Sequence, residues 1–107
     1  MQTSFTVTDM TIHRLVEQEA GFTPILEFLP SLSPELLQEN RSWLEPTALD
    51  PATGMAVLCF QSYVVKTPHH TILVDACSGD HKDRRRPFFH RREWGWLEKL
   101  AMAGARP

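Results

Sequence analysis

Five histidines, two cysteines and one carboxylate inside an apolar run are the side chains of this 107-residue chain that could do chemistry. His13, His69, His70, His81 and His90 are candidate metal ligands, since neutral imidazole is the commonest metal-binding side chain. Their spacing argues against a site. His69 and His70 are adjacent and point apart on an extended backbone, no His-x-His or His-x3-His pair occurs, and there is no Cys-x-x-Cys. They read as turn and loop histidines, and no metal is assigned to this chain alone.

Asp75 carries more information, because it interrupts an otherwise apolar stretch, Thr-Ile-Leu-Val-Asp-Ala-Cys, at 71–77. A charged, unpaired carboxylate there would be costly, so it must find a partner. It either caps the backbone of its own following turn or lines a functional site. Cys77 has no neighbouring base in sequence and reads as a structural thiol rather than a nucleophile. Ser78-Gly79-Asp80 is neither a phosphate-cradling loop nor a nucleophile elbow. No catalytic residue is assigned.

Charge is unevenly spread. Formal net charge is −2, yet residues 1–80 set three cations against ten acids, a net of −7, while 81–92 hold six cations against Asp83, a net of +5. The basic segment also contains Phe88, Phe89 and His90. Arginines interleaved with aromatics can grip phosphates and stack on bases. A small interaction module using the basic loop 81–92 on an acidic partner is therefore the alternative function. One short run is a weak footprint, so nucleic acid is not the expected partner. No apolar run approaches the length of a membrane span, and the N-terminus lacks a basic cluster followed by an apolar stretch. With only two cysteines, a reduced cytoplasmic setting is expected and a membrane partner is not.

The elements that would position these residues follow from pattern. Residues 5–17 read as a single strand ended by Gly21 and Pro24, and 22–30 as a packed loop. Ser33-Pro34-Glu35 starts a helix whose apolar face is Leu36, Leu37, Trp43 and Leu44, ended by Pro46. Residues 55–67 and 71–77 form an antiparallel hairpin about Pro68-His69-His70. A polar loop, 78–92, leads to a helix with the stripe Trp94, Leu97, Leu100, Ala101 and Ala103, weakened by Gly95 and capped by Gly104. Both hairpin strands are apolar on both faces and call for cover on each side. The chain has material for one covering layer, so a further layer is expected to come from elsewhere.

Gly21-Phe22-Thr23-Pro24, Phe28-Leu29-Pro30, Arg41-Ser42-Trp43-Leu44-Glu45-Pro46, Asp50-Pro51-Ala52-Thr53-Gly54 and above all the run 61–84 resemble the N-terminal part of metallo-β-lactamase-fold metallo-hydrolases, in the lactonase-like and organophosphate-hydrolase-like branch. The resemblance spans roughly residues 10–104. It implies an α+β fold, the N-terminal half of an αββα sandwich with antiparallel or mixed strands and two helices. Residues 1–107 would then be a single incomplete domain without the metal-binding half. The family's zinc, or other divalent metal pair, is held by a His-x-His-x-Asp-His motif absent here. By the resemblance Asp75 is a site-lining position, no residue is a metal ligand, and the chain is inactive alone. Its implied partner is a complementing C-terminal half or, failing that, a second copy of itself.

Overall fold

Thr8 and Asp9 turn the chain between β1 (Ser4–Val7) and β2 (Met10–Pro24) in the computed structural model, which describes residues 3–107. The single strand expected over 5–17 is thus two paired strands, with Phe5 opposite Ile12 and Val7 opposite Met10. The alternation falters where Thr8 adopts a positive φ of 52° and its hydroxyl donates to Val7 O and Asp9 Oδ1. A β-branched residue disfavours that conformation, and the local hydroxyl bonds help hold it in the turn. After β2 come α1 (Ile25–Phe28), α2 (Pro34–Leu44), β3 (Met55–Lys66), β4 (Thr71–Val74), a 3-10 turn (Pro87–Phe89) and α3 (Trp96–Met102). The strands form one sheet in the order β1-β2-β3-β4, with β1–β2 and β3–β4 antiparallel. This is a small α+β architecture.

The chain divides into two compact units. Glu19–Cys59 has its core in Ile25, Leu49 and Ala56, with Leu32, Leu37 and Leu44 against it. Ser33 caps α2 by accepting the Leu36 N–H at 3.1 Å, as its Ser-Pro-Glu start requires. Only Leu37 and Leu44 of the expected stripe pack inward; Leu36 and Trp43 are exposed. Gly21 does not break β2. A Cβ there would stand 2.9 Å from Met55 Cβ, so glycine is what lets the backbone approach β3. Instead of a loop at 22–30, the strand runs to Pro24 and α1 follows.

The other unit joins residues up to Gln18 with Phe60–Pro107. Its core is Leu15, Val64, Trp96 and Leu100, with Cys77, Ala103 and Ala105 packed around it. Side chains alternate along strands. Leu15 and Glu17 of β2 and Ser62 and Val64 of β3 therefore lie on one face, beneath α3, and with Trp96 and Leu100 they are the buried residues among those described in the unit. The opposite face holds Ile12, Arg14, Val16, Gln61, Tyr63, Val65, Ile72 and Val74, joined by an Arg14 Nε to Gln61 Oε1 bond of 2.9 Å. No residue of that face is buried, and Ile72 and Val74 are 46% and 48% exposed.

Two expectations need correction here. The second hairpin strand, expected over 71–77 and covered on both faces, ends at Val74 and is exposed throughout, because it is the sheet edge. The last helix begins at Trp96 rather than 94, and its inward residues are Trp96, Leu100 and Ala103, with Leu97 57% exposed. Gly95 precedes the helix at φ 68° instead of weakening its interior. Gly104 does cap it, with Ala105 N donating to Leu100 O at 3.1 Å.

Candidate functional site

The loop leaving β4 gathers most of the chemistry-bearing residues. Its backbone takes positive φ at every second position: Asp75 at 68°, Cys77 at 56°, Gly79 at 81° and His81 at 56°. Carboxylates hold it in that shape. Asp75, itself exposed, accepts the Cys77 N–H at 2.8 Å through Oδ1, so the residue singled out from sequence caps its own turn. Glu17, only 3% exposed, accepts Ser78 N at 3.1 and 3.2 Å and Gly79 N at 3.0 Å. Asp80 reaches forward to the start of α3, accepting Trp94 N at 2.7 Å on Oδ1 and Gly95 and Trp96 N at 3.0 and 3.2 Å on Oδ2. Desolvation works against ionisation of Asp80, but those backbone donors and the neighbouring His81 outweigh it and hold its carboxyl below the usual aspartate value.

Beneath the loop lies a short polar chain. Trp96 Nε1–H donates to Ser62 Oγ at 3.0 Å, and Ser62 Oγ stands 3.1 Å from Cys77 Sγ. Ser62 is fully buried and Cys77 half-buried, which satisfies the indole N–H inside the core. Neither Cys77 nor half-buried Cys59 is in a disulfide. Lys99 Nζ closes the arrangement from α3 by donating to Val16 O at 2.7 Å.

The basic segment 81–92 is folded back on itself. His81 N donates to Arg92 O and Arg91 N to Lys82 O, both at 2.8 Å. Arg84 donates to Ser78 O at 2.5 Å, and Arg91 pairs with Asp83 at 3.2 Å. Phe88 and Phe89 turn inward, with ring centroids 5.5 and 5.1 Å from Phe60, and the Arg92 guanidinium sits 5.7 Å over Phe88 and 5.9 Å over Trp94. The aromatics expected to interleave with arginines at a nucleic-acid surface are thus engaged in a cluster of their own.

The histidines do not converge. His69 and His70 sit in the β3–β4 turn, His13 on β2, His90 Nδ1 accepts the Arg84 N–H, and His81 Nδ1 is 3.6 Å from Glu93. Among the described residues no group of three His, Cys, Asp or Glu could hold a metal ion, so the side chains present do not fit a metal pair. Sequence reasoning missed Glu17 and Asp80. Glu17 sits on the same inward face of β2 as Leu15, and Asp80 stands fourteen to sixteen residues ahead of the donors it caps. Comparison with known proteins gave no significant match to a family model, a curated protein or a solved structure. No helix among the described residues is long and apolar enough to cross a membrane.

Proposed function

We propose that this chain is the N-terminal portion of a metal-dependent hydrolase of the metallo-β-lactamase fold, whose intact form cleaves a lactone or ester-type bond. In this reading the 107 residues supply one sheet and its outer helix, with Asp75 placed at the rim of the site, and a complementing C-terminal half supplies the second sheet and the metal ligands. The observation that carries it is the one-sided sheet. Every buried residue among those described in the α3 unit lies on the helix-covered side, and the other side presents half-buried Ile12, Val16, Tyr63 and Val65 and exposed Ile72 and Val74. A sandwich half without its facing sheet has this form.

The test is urea unfolding followed by fluorescence and circular dichroism, with a dye that reports exposed apolar surface. The isolated chain is expected to bind the dye and to unfold in a shallow transition at low urea. Supplied with zinc chloride, it should hydrolyse neither γ-butyrolactone nor a p-nitrophenyl ester. A sharp transition coincident in both probes, with a slope above about 1 kcal/mol/M and no dye binding, would mark a self-sufficient domain and overturn the reading. Turnover by the chain alone would overturn it equally.

A further inference from the structure

We infer that a cavity on the α3 side of the sheet is a binding site for a small carboxylate whose apolar body is about the size of one six-membered ring. The cavity lies wholly within the α3 unit, on the face away from the open one, so the inference holds whether or not that open face is covered. Its position follows from the pairing of β3 with β4. Val64 stands opposite Leu73 and Lys66 opposite Thr71, and side chains alternate along each strand. All four therefore share the face on which Ser62 and Val64 meet α3. That helix is only seven residues long; it buries Val64 but leaves Leu73 44% exposed.

Between Leu73 and the residues around α3 a cavity of about 170 Å³ remains. Its floor is the buried core of Val64, Trp96 and Leu100, and Ala105 adds to its wall. The Trp96 indole is fixed there, because its N–H is held by Ser62 Oγ. A cavity of about 150 Å³ lined by aliphatic and aromatic side chains is enough to take up one benzene ring. This one therefore admits one ring and little more.

The rim is cationic. Arg106 is exposed and lines the cavity beside Thr71. Lys66 reaches the same end from β3: its ammonium occupies the space that a Cβ on Gly104 would take, two residues before Arg106. Among the described residues no ion pair or hydrogen bond engages the Lys66 ammonium or the Arg106 guanidinium, and no side-chain carboxylate lines the cavity. Two cations without a counter-ion, set above an apolar cavity of one ring's volume, complement an organic anion. The planar fork of Arg106 matches the two oxygens of a carboxylate, and the ring takes the apolar floor.

Titration of the full chain with phenylacetate, followed by calorimetry and by ¹⁵N NMR, tests it. Phenylacetate should bind with a Kd of about 0.1–1 mM and shift the Trp96 indole and Gly104 amide signals. Phenylacetamide has the same ring without the charge, and acetate the charge without the ring; each should bind about tenfold more weakly or worse. Lys66→Met and Arg106→Gln should each weaken phenylacetate about threefold or more and leave phenylacetamide unchanged. No binding of phenylacetate at about 10 mM, equal binding of either analogue, a Trp96 signal that does not move, or variants that bind phenylacetate as tightly as wild type would each overturn the inference. Arg106 is exposed beyond the end of α3, so Arg106→Gln decides if Lys66→Met fails to fold.

Discussion

Replacing Asp80 by Ala removes the acceptor of three backbone N–H groups, those of Trp94, Gly95 and Trp96, at the entry to α3. Because Gly95 has no side chain to cap the helix, Asp80 is its only side-chain cap among the described residues. Loss of a helix cap is worth about 0.5–2 kcal/mol, and the shared charge places Asp80→Ala near the upper end, about 2 kcal/mol. Asp80→Asn keeps one acceptor oxygen but turns an amide N–H₂ towards a backbone donor, and should lose about 1 kcal/mol. The pH dependence has a definite sign. The folded carboxyl is held below its unfolded value, so its contribution is fully present above the ordinary aspartate pKa near 3.9 and disappears as pH falls through the folded value. Thermal melts of wild type and Asp80→Asn should differ by about 4–8 °C at pH 7 and converge once pH has fallen below the lowered folded value. Amide exchange at Trp94, Gly95 and Trp96 should accelerate in the variant. Equal melts at pH 7, or a gap that persists at low pH, would refute the capping argument.

Two other perturbations probe the same loop. Glu17→Gln keeps one oxygen within reach of both Ser78 N and Gly79 N but replaces the other by an amide N–H₂ that meets the Ser78 N–H donor to donor in a buried place, and should destabilise the unit by about 1–3 kcal/mol. Trypsin should then cut at Lys82 or Arg84 several-fold faster, and an unchanged cleavage rate would count against the anchoring role. Ser62→Ala strands the Trp96 indole N–H in the core, with an expected loss of about 1–3 kcal/mol and faster exchange of that indole proton by NMR. A Trp96 indole signal unmoved in shift and exchange would show that the bond is not made in solution.

Local signals made much of the fold legible. Ser33-Pro34-Glu35 starts α2 because the cap chemistry lies within one turn, and the antiparallel hairpin follows from two apolar runs flanking Pro68-His69-His70, although its second strand stops at Val74. Failures came where distant residues decide. Gly21 and the Thr8–Asp9 turn exchange roles, because a glycine signals a break only when nothing packs against it, and Met55 does. The start of α3 is set by Asp80, and the stripe on it shifts by one residue accordingly, from Leu97 to Trp96. Asp75 was legible as a residue needing donors and as able to find them in its own turn. Glu17 was not, since alternation alone gives a carboxylate on an inward position no sign of the loop that will meet it.

The geometry of the 75–81 loop follows from this division of labour. Left-handed φ at Asp75 and His81 falls on residue types enriched there, but Cys77 holds it against its preference, and a non-glycine residue in that region costs about 1–3 kcal/mol. Such a backbone persists only where its surroundings over-determine it. Here Glu17 of β2 and the loop's own Asp75 take the loop's amides, its Asp80 ties it to the amides at the start of α3, the buried Ser62 hydroxyl contacts Cys77, and Arg84 donates to Ser78 O. Removing one anchor releases strain held by the others, so pairs of substitutions should not add. Glu17→Gln with Asp80→Asn should cost less than the sum of the two alone, because once either carboxylate is lost the loop relaxes and the second has less to hold. A double-mutant cycle read by urea midpoint would show this as a coupling of about 0.5 kcal/mol or more. Strict additivity would mean that the loop's shape is fixed by its own residues and that the carboxylates only follow it.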